Sequence, residues 1–170
     1  PNLTIYRGLL ERGVSIVTAD KTGLATSFWE LFRAAEERGL YMGFRATVMA
    51  GTPVTDLIRG LAGRNIEIVE GILNATTNYV LTLVEKGLSF PEAVRRAVDE
   101  KLAEPDPSID IGGLDAAAKI TILANLAGAG ASVRDVKRIP VDSVGEEEVR
   151  RARAAGRPVE TSRPAVSATR

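Results

Sequence analysis

Leu3, Leu9 and Leu10 fall at helical spacing ahead of Gly13, and the run Val14-Ser15-Ile16-Val17-Thr18 then carries the β-branched residues of a short buried strand. The chain therefore opens with a helix and then a strand. After a loop holding Ala19-Asp20-Lys21-Thr22-Gly23, the positions Phe28, Leu31, Phe32 and Ala35 with a closing Gly39 predict an amphipathic helix from about Ser27. A second strand is expected over residues 41–48, and Trp29, at helical spacing with Phe32, reads as core. Past the turn Ala50-Gly51-Thr52-Pro53 the pattern gives a short helix over 56–61 and, by alternation, a strand over 66–70. Asn74 is placed to cap a helix over 75–86 that stops at Gly87, and Ser89-Phe90-Pro91-Glu92 is a capping box opening a helix to about Lys101. Two helices are thus expected against one strand. Pro105 and Pro107 forbid helix and leave an acidic loop, after which residues 115–127 are strongly helical. Glu146-Glu147-Glu148 followed by Arg150, Arg151 and Arg153 suits the dipole of a last helix, and beyond Gly156 the absence of periodicity predicts a loose tail. Alternating helix and strand is the mark of an α/β fold with a parallel sheet.

Composition narrows the chemistry. The 170 residues include 22 Lys+Arg, 22 Asp+Glu, no His and no Cys. A thiol nucleophile, a Cys/His zinc site, a Ser-His-Asp triad and an imidazole relay are therefore excluded, and catalysis must use Lys, Asp, Glu, Tyr or backbone groups. A formal charge of zero gives no reason to expect nucleic acid or a membrane surface as partner. No apolar run approaches roughly 18 residues and no charged-then-apolar leader opens the chain, so a cytoplasmic protein is the expectation.

Between Gly112 and Ser132 the only charged residues are Asp115 and Lys119, one helical turn apart and so on one face. Burial among Ile120, Ile122 and Leu123 favours a lowered lysine pKa while the carboxylate opposes it, and the pattern leaves the balance open. The plainer reading is an ordinary helix ion pair. Glu104, Asp106 and Asp110 stand in the proline-stiffened loop just upstream, a concentration of carboxylates that suits a substrate ammonium or a lysine, with a divalent metal or a solvated acidic turn as the other readings. Lys21 follows the first strand, where open α/β sheets bind ligands. Asn74-Ala75-Thr76-Thr77 offers N–H groups and hydroxyls for a carboxylate, or plain capping.

Taken together these segments resemble homoserine dehydrogenase. Val17-Thr18-Ala19-Asp20-Lys21 is similar to that family's strand-end lysine motif, and Ala46-Thr47-Val48-Met49-Ala50-Gly51-Thr52-Pro53 to its interdomain hinge. Gly71-Ile72-Leu73-Asn74-Ala75-Thr76-Thr77-Asn78-Tyr79 resembles its substrate-domain helix start, and Ala103-Glu104-Pro105-Asp106-Pro107 through Asp110, Gly113, Asp115 and Lys119 is the strongest match. The resemblance implies interconversion of L-homoserine and L-aspartate 4-semialdehyde with NADP or NAD, in the threonine and methionine branch of amino-acid biosynthesis, by a homodimer. It implies that Lys119 handles the hydroxyl proton and that Lys21 stands beside the nicotinamide and reacting carbon. Glu104, Asp110 and Asp115 would hold the substrate ammonium and the lysine, Thr76 would lie near the substrate, and Thr18, Ala19 and Lys21 would border the cofactor.

The departures carry their own expectations. Arg45 stands where the family has a glutamate of a monovalent-cation site, so no metal is expected; Lys101 and Leu102 replace a glycine and a tyrosine; Asp20 replaces an asparagine. No G-x-G-x-x-G occurs, which leaves the pyrophosphate without its usual anchor. The expected organisation is a remnant of a Rossmann-like parallel sheet over 1–48, a substrate-binding, catalytic and dimerisation domain with helices packed on a sheet over 49–145, and a charged helix with a tail over 146–170. With two strands in the first part, an exposed sheet edge invites pairing. Pro1 leading straight into a helix points to a fragment, a processed chain or a split gene product, inactive without a nucleotide-binding half. The alternatives are a non-catalytic dimerisation or amino-acid-binding module of the same ancestry and a lysine-dependent lyase.

Overall fold

The computed structural model describes residues 2–156. These form two compact units, one of residues 2–69 with 117–136 and one of residues 70–116 with 137–156.

In the first unit the chain runs through α1 (Asn2–Glu11), β1 (Ile16–Val17), α2 (Thr22–Glu36), β2 (Met42–Gly43), a 3-10 turn (Arg45–Thr47) and α3 (Val54–Gly60). β1 and β2 pair in parallel, with Ile16 opposite Met42 and Val17 opposite Gly43. The pleat sends Ile16 inward and leaves Val17 81% exposed. Leu10, Leu24, Leu31 and Val48 are fully buried. Phe28 stacks on Phe32 at a centroid distance of 4.5 Å, and both meet Phe44 edge-on at 5.8 and 5.2 Å, so offset and T-shaped ring contacts add to area burial in this core.

Three sequence expectations change here. The helix predicted from Ser27 begins earlier, at Thr22, and Ser27 is the site of a break within it (φ −143°, ψ 44°). The strand expected over 41–48 keeps only Met42 and Gly43 before the 3-10 turn takes over, although Val48 is still buried. Residues 66–70 form no strand; among the described residues the sheet has two strands, and Ile68 is 74% exposed. Alternation predicts a strand only where a neighbour supplies the ladder.

The second unit is helical: α4 (Ala75–Glu85), α5 (Phe90–Asp99), α6 (Ser108–Ile111), a 3-10 turn (Val141–Ser143) and α8 (Glu146–Ala154). Its core joins Val80, Leu81, Leu83 and Val84 of α4 to Ala93 and Ala97 of α5, Val141, and Val149 of α8. The expected sheet beneath these helices is absent among the described residues, and helix packs on helix instead. Ser89 and Glu92 form both halves of the capping box, and Glu146 accepts from the Phe90 N–H at 2.6 Å, tying the start of α8 to the start of α5. α7 (Leu114–Leu126) begins in this unit and continues in the first. The tail expected after Gly156 lies outside the described residues.

α4 and α5 end in the same way with different residues. After α4, Gly87 takes φ +105° and the chain closes with Leu88 N–H on Leu83 O and Gly87 N–H on Val84 O. After α5, Leu102 N–H bonds Ala97 O and Lys101 N–H bonds Val98 O, with Lys101 itself at φ +58°. This Schellman closure demands a left-handed residue whatever the side chain. Lysine costs roughly 1–2 kcal/mol there that glycine does not. Lys101→Gly is accordingly expected to raise the thermal midpoint, by about 1 kcal/mol of stability once glycine's greater unfolded-state entropy is subtracted. An unchanged or lowered midpoint in calorimetry would refute this.

Candidate active site

The organising residue of the second unit's polar site is Asn74. Its extended backbone (φ −132°, ψ 119°) makes it the N-cap of α4, and its side-chain oxygen accepts the Thr77 N–H at 2.8 Å. That bond fixes which way the amide faces. The Nδ2 group then donates one hydrogen to Asp110 Oδ1 at 2.6 Å and the other to Asp115 Oδ2 at 3.0 Å. Asp110 comes from α6 and Asp115 from the first turn of α7, where a helix N-terminus favours negative charge. Between them Gly113, at φ +74°, lets the chain reverse so that both carboxylates reach one amide. Asn74 is 6% and Asp115 8% exposed, so the bond between them lies away from water and leaving either partner unpaired is costly. Lys119 follows Asp115 by one turn of α7 and is half-buried, beside the fully buried Ile120, Ile122 and Leu123.

Thr76 is buried at the head of α4 and its hydroxyl donates to Leu102 O at 3.1 Å. Glu104 and Asp106 are exposed. Asp106 accepts the Ser108 N–H at 3.1 Å just ahead of α6, and this bond holds its carboxyl below the usual range. A hollow of about 30 Å³ is walled by Asn74, Thr77, Asp110, Ile111 and Ala116, a volume for about one water. Of the four acidic positions read from the sequence, Asp110 and Asp115 meet through Asn74, and Glu104 and Asp106 do not join them. Among the described residues no group of three or more acidic side chains is placed to hold a metal ion. Sequence reading found Asn74 as a cap and missed its other two bonds.

The first unit carries Thr18, Ala19, Asp20 and Lys21 at the carboxyl end of β1. Tyr6 Oη and Thr18 Oγ1 lie 2.7 Å apart, and Thr18 Oγ1 also accepts the Asp20 N–H at 3.0 Å. Asp20 Oδ2 accepts from Tyr6 Oη at 3.3 Å and from the Gly23 N–H at 3.4 Å. Burial opposes ionisation of Asp20, but hydrogen bonds from Asn2, Gly23, Thr22 and Tyr6 outweigh it and hold the carboxyl below its usual range. Burial also pushes the Tyr6 phenol up, with the Asp20 charge adding to it. Lys21 precedes the first turn of α2, its carbonyl accepting the Ala25 N–H at 2.8 Å, and is half-buried. Lys21 and Lys119 belong to the first unit, and Thr76, Glu104, Asp110 and Asp115 to the second. Trp29, expected in the core, is 39% exposed, with its indole N–H donating to Asn125 Oδ1 at 3.1 Å and Ala129 O at 3.0 Å. A polar handle with two acceptors explains why this ring stays at the surface.

Because the Asp20 pKa is lowered in the folded state, the stability it contributes is present above about pH 3.9 and is lost as the pH falls through the folded value. Asp20→Asn is expected to lower stability at neutrality, where that contribution is full, and to converge on the parent between about pH 5 and pH 2, flattening the acid side of the stability curve. Thermal melts across that range check this; parallel curves for the two proteins would contradict it.

Arg45 Nη2 pairs with Asp56 at 2.7 Å, so the arginine that departs from the family pattern answers a carboxylate of its own unit. The sequence model described as homoserine dehydrogenase matches residues 53–165, which include Asn74, Asp110, Asp115 and Lys119. The chain belongs to the homoserine dehydrogenase family. It is 48% identical over 138 residues to the homoserine dehydrogenase of Sulfurisphaera tokodaii, a match covering 81% of this chain and 45% of that protein. It is 39% identical to the NAD(+)-dependent homoserine dehydrogenase of Pseudomonas canavaninivorans, over 90% of this chain and 44% of the relative. The crystal structure of a putative homoserine dehydrogenase from Archaeoglobus fulgidus superimposes with a TM-score of 0.85 at 36% identity, over 91% of this chain and 49% of that one. The chain thus spans somewhat under half the length of these homoserine dehydrogenases.

Proposed function

We propose that this chain carries the substrate side of a homoserine dehydrogenase, acting on L-homoserine and L-aspartate 4-semialdehyde with NADP or NAD, in the threonine and methionine branch of amino-acid biosynthesis. The observation that carries the reading is the carboxylate pair joined by Asn74, one turn before Lys119 on α7. An amino-acid substrate brings an ammonium that needs carboxylates, and an alcohol being oxidised needs a base for its proton. Asp110 and Asp115 bind the ammonium, with Glu104 and Thr76 assigned to the substrate's surroundings. Lys119 takes the hydroxyl proton, directly or through a water.

A nicotinamide dinucleotide, when bound, accepts the hydride from the alcohol carbon. The strand-end loop fits its uncharged nicotinamide end. The Thr18 hydroxyl, bound to Tyr6 and the Asp20 N–H, orders this loop, while the adjoining Asp20, held ionised, disfavours a pyrophosphate. Thr18, Ala19 and Lys21 are the residues that hold it, Lys21 beside the reacting carbon. A homodimer in the cytoplasm completes the proposal.

The test is nicotinamide reduction with homoserine, for the chain alone and for the chain mixed with a separately expressed nucleotide-binding half of a family member. Turnover in the mixture is expected, and none under any combination would overturn the proposal. The second reading, a non-catalytic amino-acid-binding module, gains from Leu102, 52% exposed where the family has a tyrosine. It predicts homoserine binding that survives Lys119→Met, without turnover.

A further inference from the structure

At the end of the first unit's sheet opposite Lys21 there is a second cavity. The two strands are parallel, so Lys21, past the carboxyl end of β1, and Tyr41, before the amino end of β2, lie at opposite ends of the sheet. Around Tyr41 opens a groove of about 610 Å³, walled also by Trp29, Phe32, Arg33 and Glu36 of α2 and by Arg59 of α3. A volume of this order lies within the roughly 300–1,000 Å³ of small-molecule sites.

The groove combines the exposed Trp29 ring with two guanidinium groups that have no acidic partner among the described residues. Trp29 is 39% exposed, and the two hydrogen bonds on its indole keep that ring from swinging away. The Arg59 guanidinium carbon stands 5.4 Å from the centre of the buried Phe44 ring, a cation–π contact that fixes its charge in place. Among the described residues neither Arg33 nor Arg59 is in an ion pair, whereas nearby Arg38 and Arg45 take Glu37 and Asp56. Two guanidinium groups against the one carboxylate of Glu36 leave the groove positive. A single carboxylate would engage one arginine; a phosphate dianion presents enough oxygens for both forks.

We propose that this groove binds a nucleoside monophosphate, its base stacked on Trp29 and its phosphate held by Arg33 and Arg59. The site is separate from the strand-end loop assigned to the nicotinamide. Trp29 is the chain's single tryptophan, so its fluorescence reports on the groove directly. The test titrates the full chain with AMP, adenosine and inorganic phosphate. A saturable change with AMP is expected, with adenosine and phosphate each at least about tenfold weaker, since each lacks one of the two contacts. Arg33→Ala, at an exposed position, should weaken AMP by about tenfold or more with an unchanged circular dichroism spectrum, and Arg59→Ala should do the same. Lys21→Ala should leave AMP binding as it is. The proposal is overturned by no saturable change at millimolar AMP, by an Arg33→Ala protein that binds AMP as before, or by loss of binding in Lys21→Ala. That last outcome would place the nucleotide at the strand-end loop. Because no homoserine or hydride transfer is read, failure here leaves the dehydrogenase reading standing, and the reverse holds too.

Discussion

Replacing Asn74 by aspartate is expected to destabilise the protein by about 2–4 kcal/mol at neutral pH and to return part of that as the pH falls. The side-chain oxygen that caps α4 survives the change. Both donors are lost, and a third carboxylate enters beside Asp110 and the buried Asp115. Crowding raises the new carboxyl's pKa in the folded state above its unfolded value, so the penalty is full above the folded pKa and fades below the unfolded one. Asn74→Ala loses the cap and both donors without adding charge, and is expected to cost a similar amount, roughly 2–4 kcal/mol, with no such acid recovery. Urea denaturation of the two variants at about pH 7 and about pH 4.5 separates them. Equal pH dependence for both would show that Asn74 does not hold the carboxylate pair together.

The other large effect concerns Lys119. In the complemented enzyme, Lys119→Met is expected to lower turnover of homoserine by about 10²–10⁴-fold, the usual worth of a positioned proton acceptor. Stability should change little, because Lys119 is only half-buried and methionine fills similar apolar space along α7. Lys119→Arg should not restore the rate, since a guanidinium stays protonated and cannot accept the hydroxyl proton. A rate within about fivefold of the parent for either variant would remove Lys119 from the chemistry.

How far the sequence foretold this structure depends on what each residue answers to. α4 and α5 were readable to within about two residues because their signals are local: Asn74 bonds Thr77 three positions on, and Ser89 and Glu92 satisfy each other. The sheet was less readable. Alternation over 66–70 and the apolar run over 41–48 speak of burial or extension, but a ladder exists only where a partner strand lies alongside, as Met42 and Gly43 have in Ile16 and Val17. The site divides in the same way. The density of acids before Lys119 marked Asp110 and Asp115, yet what joins them is an amide 36 and 41 residues away whose cap role explained it well enough from sequence. Glu104 shows the converse: in sequence it stands in the same proline-stiffened stretch as Asp110, and in space it stays exposed. Lys101 and Trp29 required backbone dihedrals and distant acceptors that no local pattern displays.

The most direct test of the substrate site is a titration of the isotopically labelled full chain with L-homoserine, followed by amide resonances. Saturable shifts are predicted for the Asn74 side-chain NH₂ and for the backbone amides of residues 110–119, and they should vanish in a folded Asp115→Asn variant. Absence of saturable binding, or shifts of the same size in Asp115→Asn, would contradict the assignment of the Asn74-linked carboxylates as the place where the amino-acid ammonium binds.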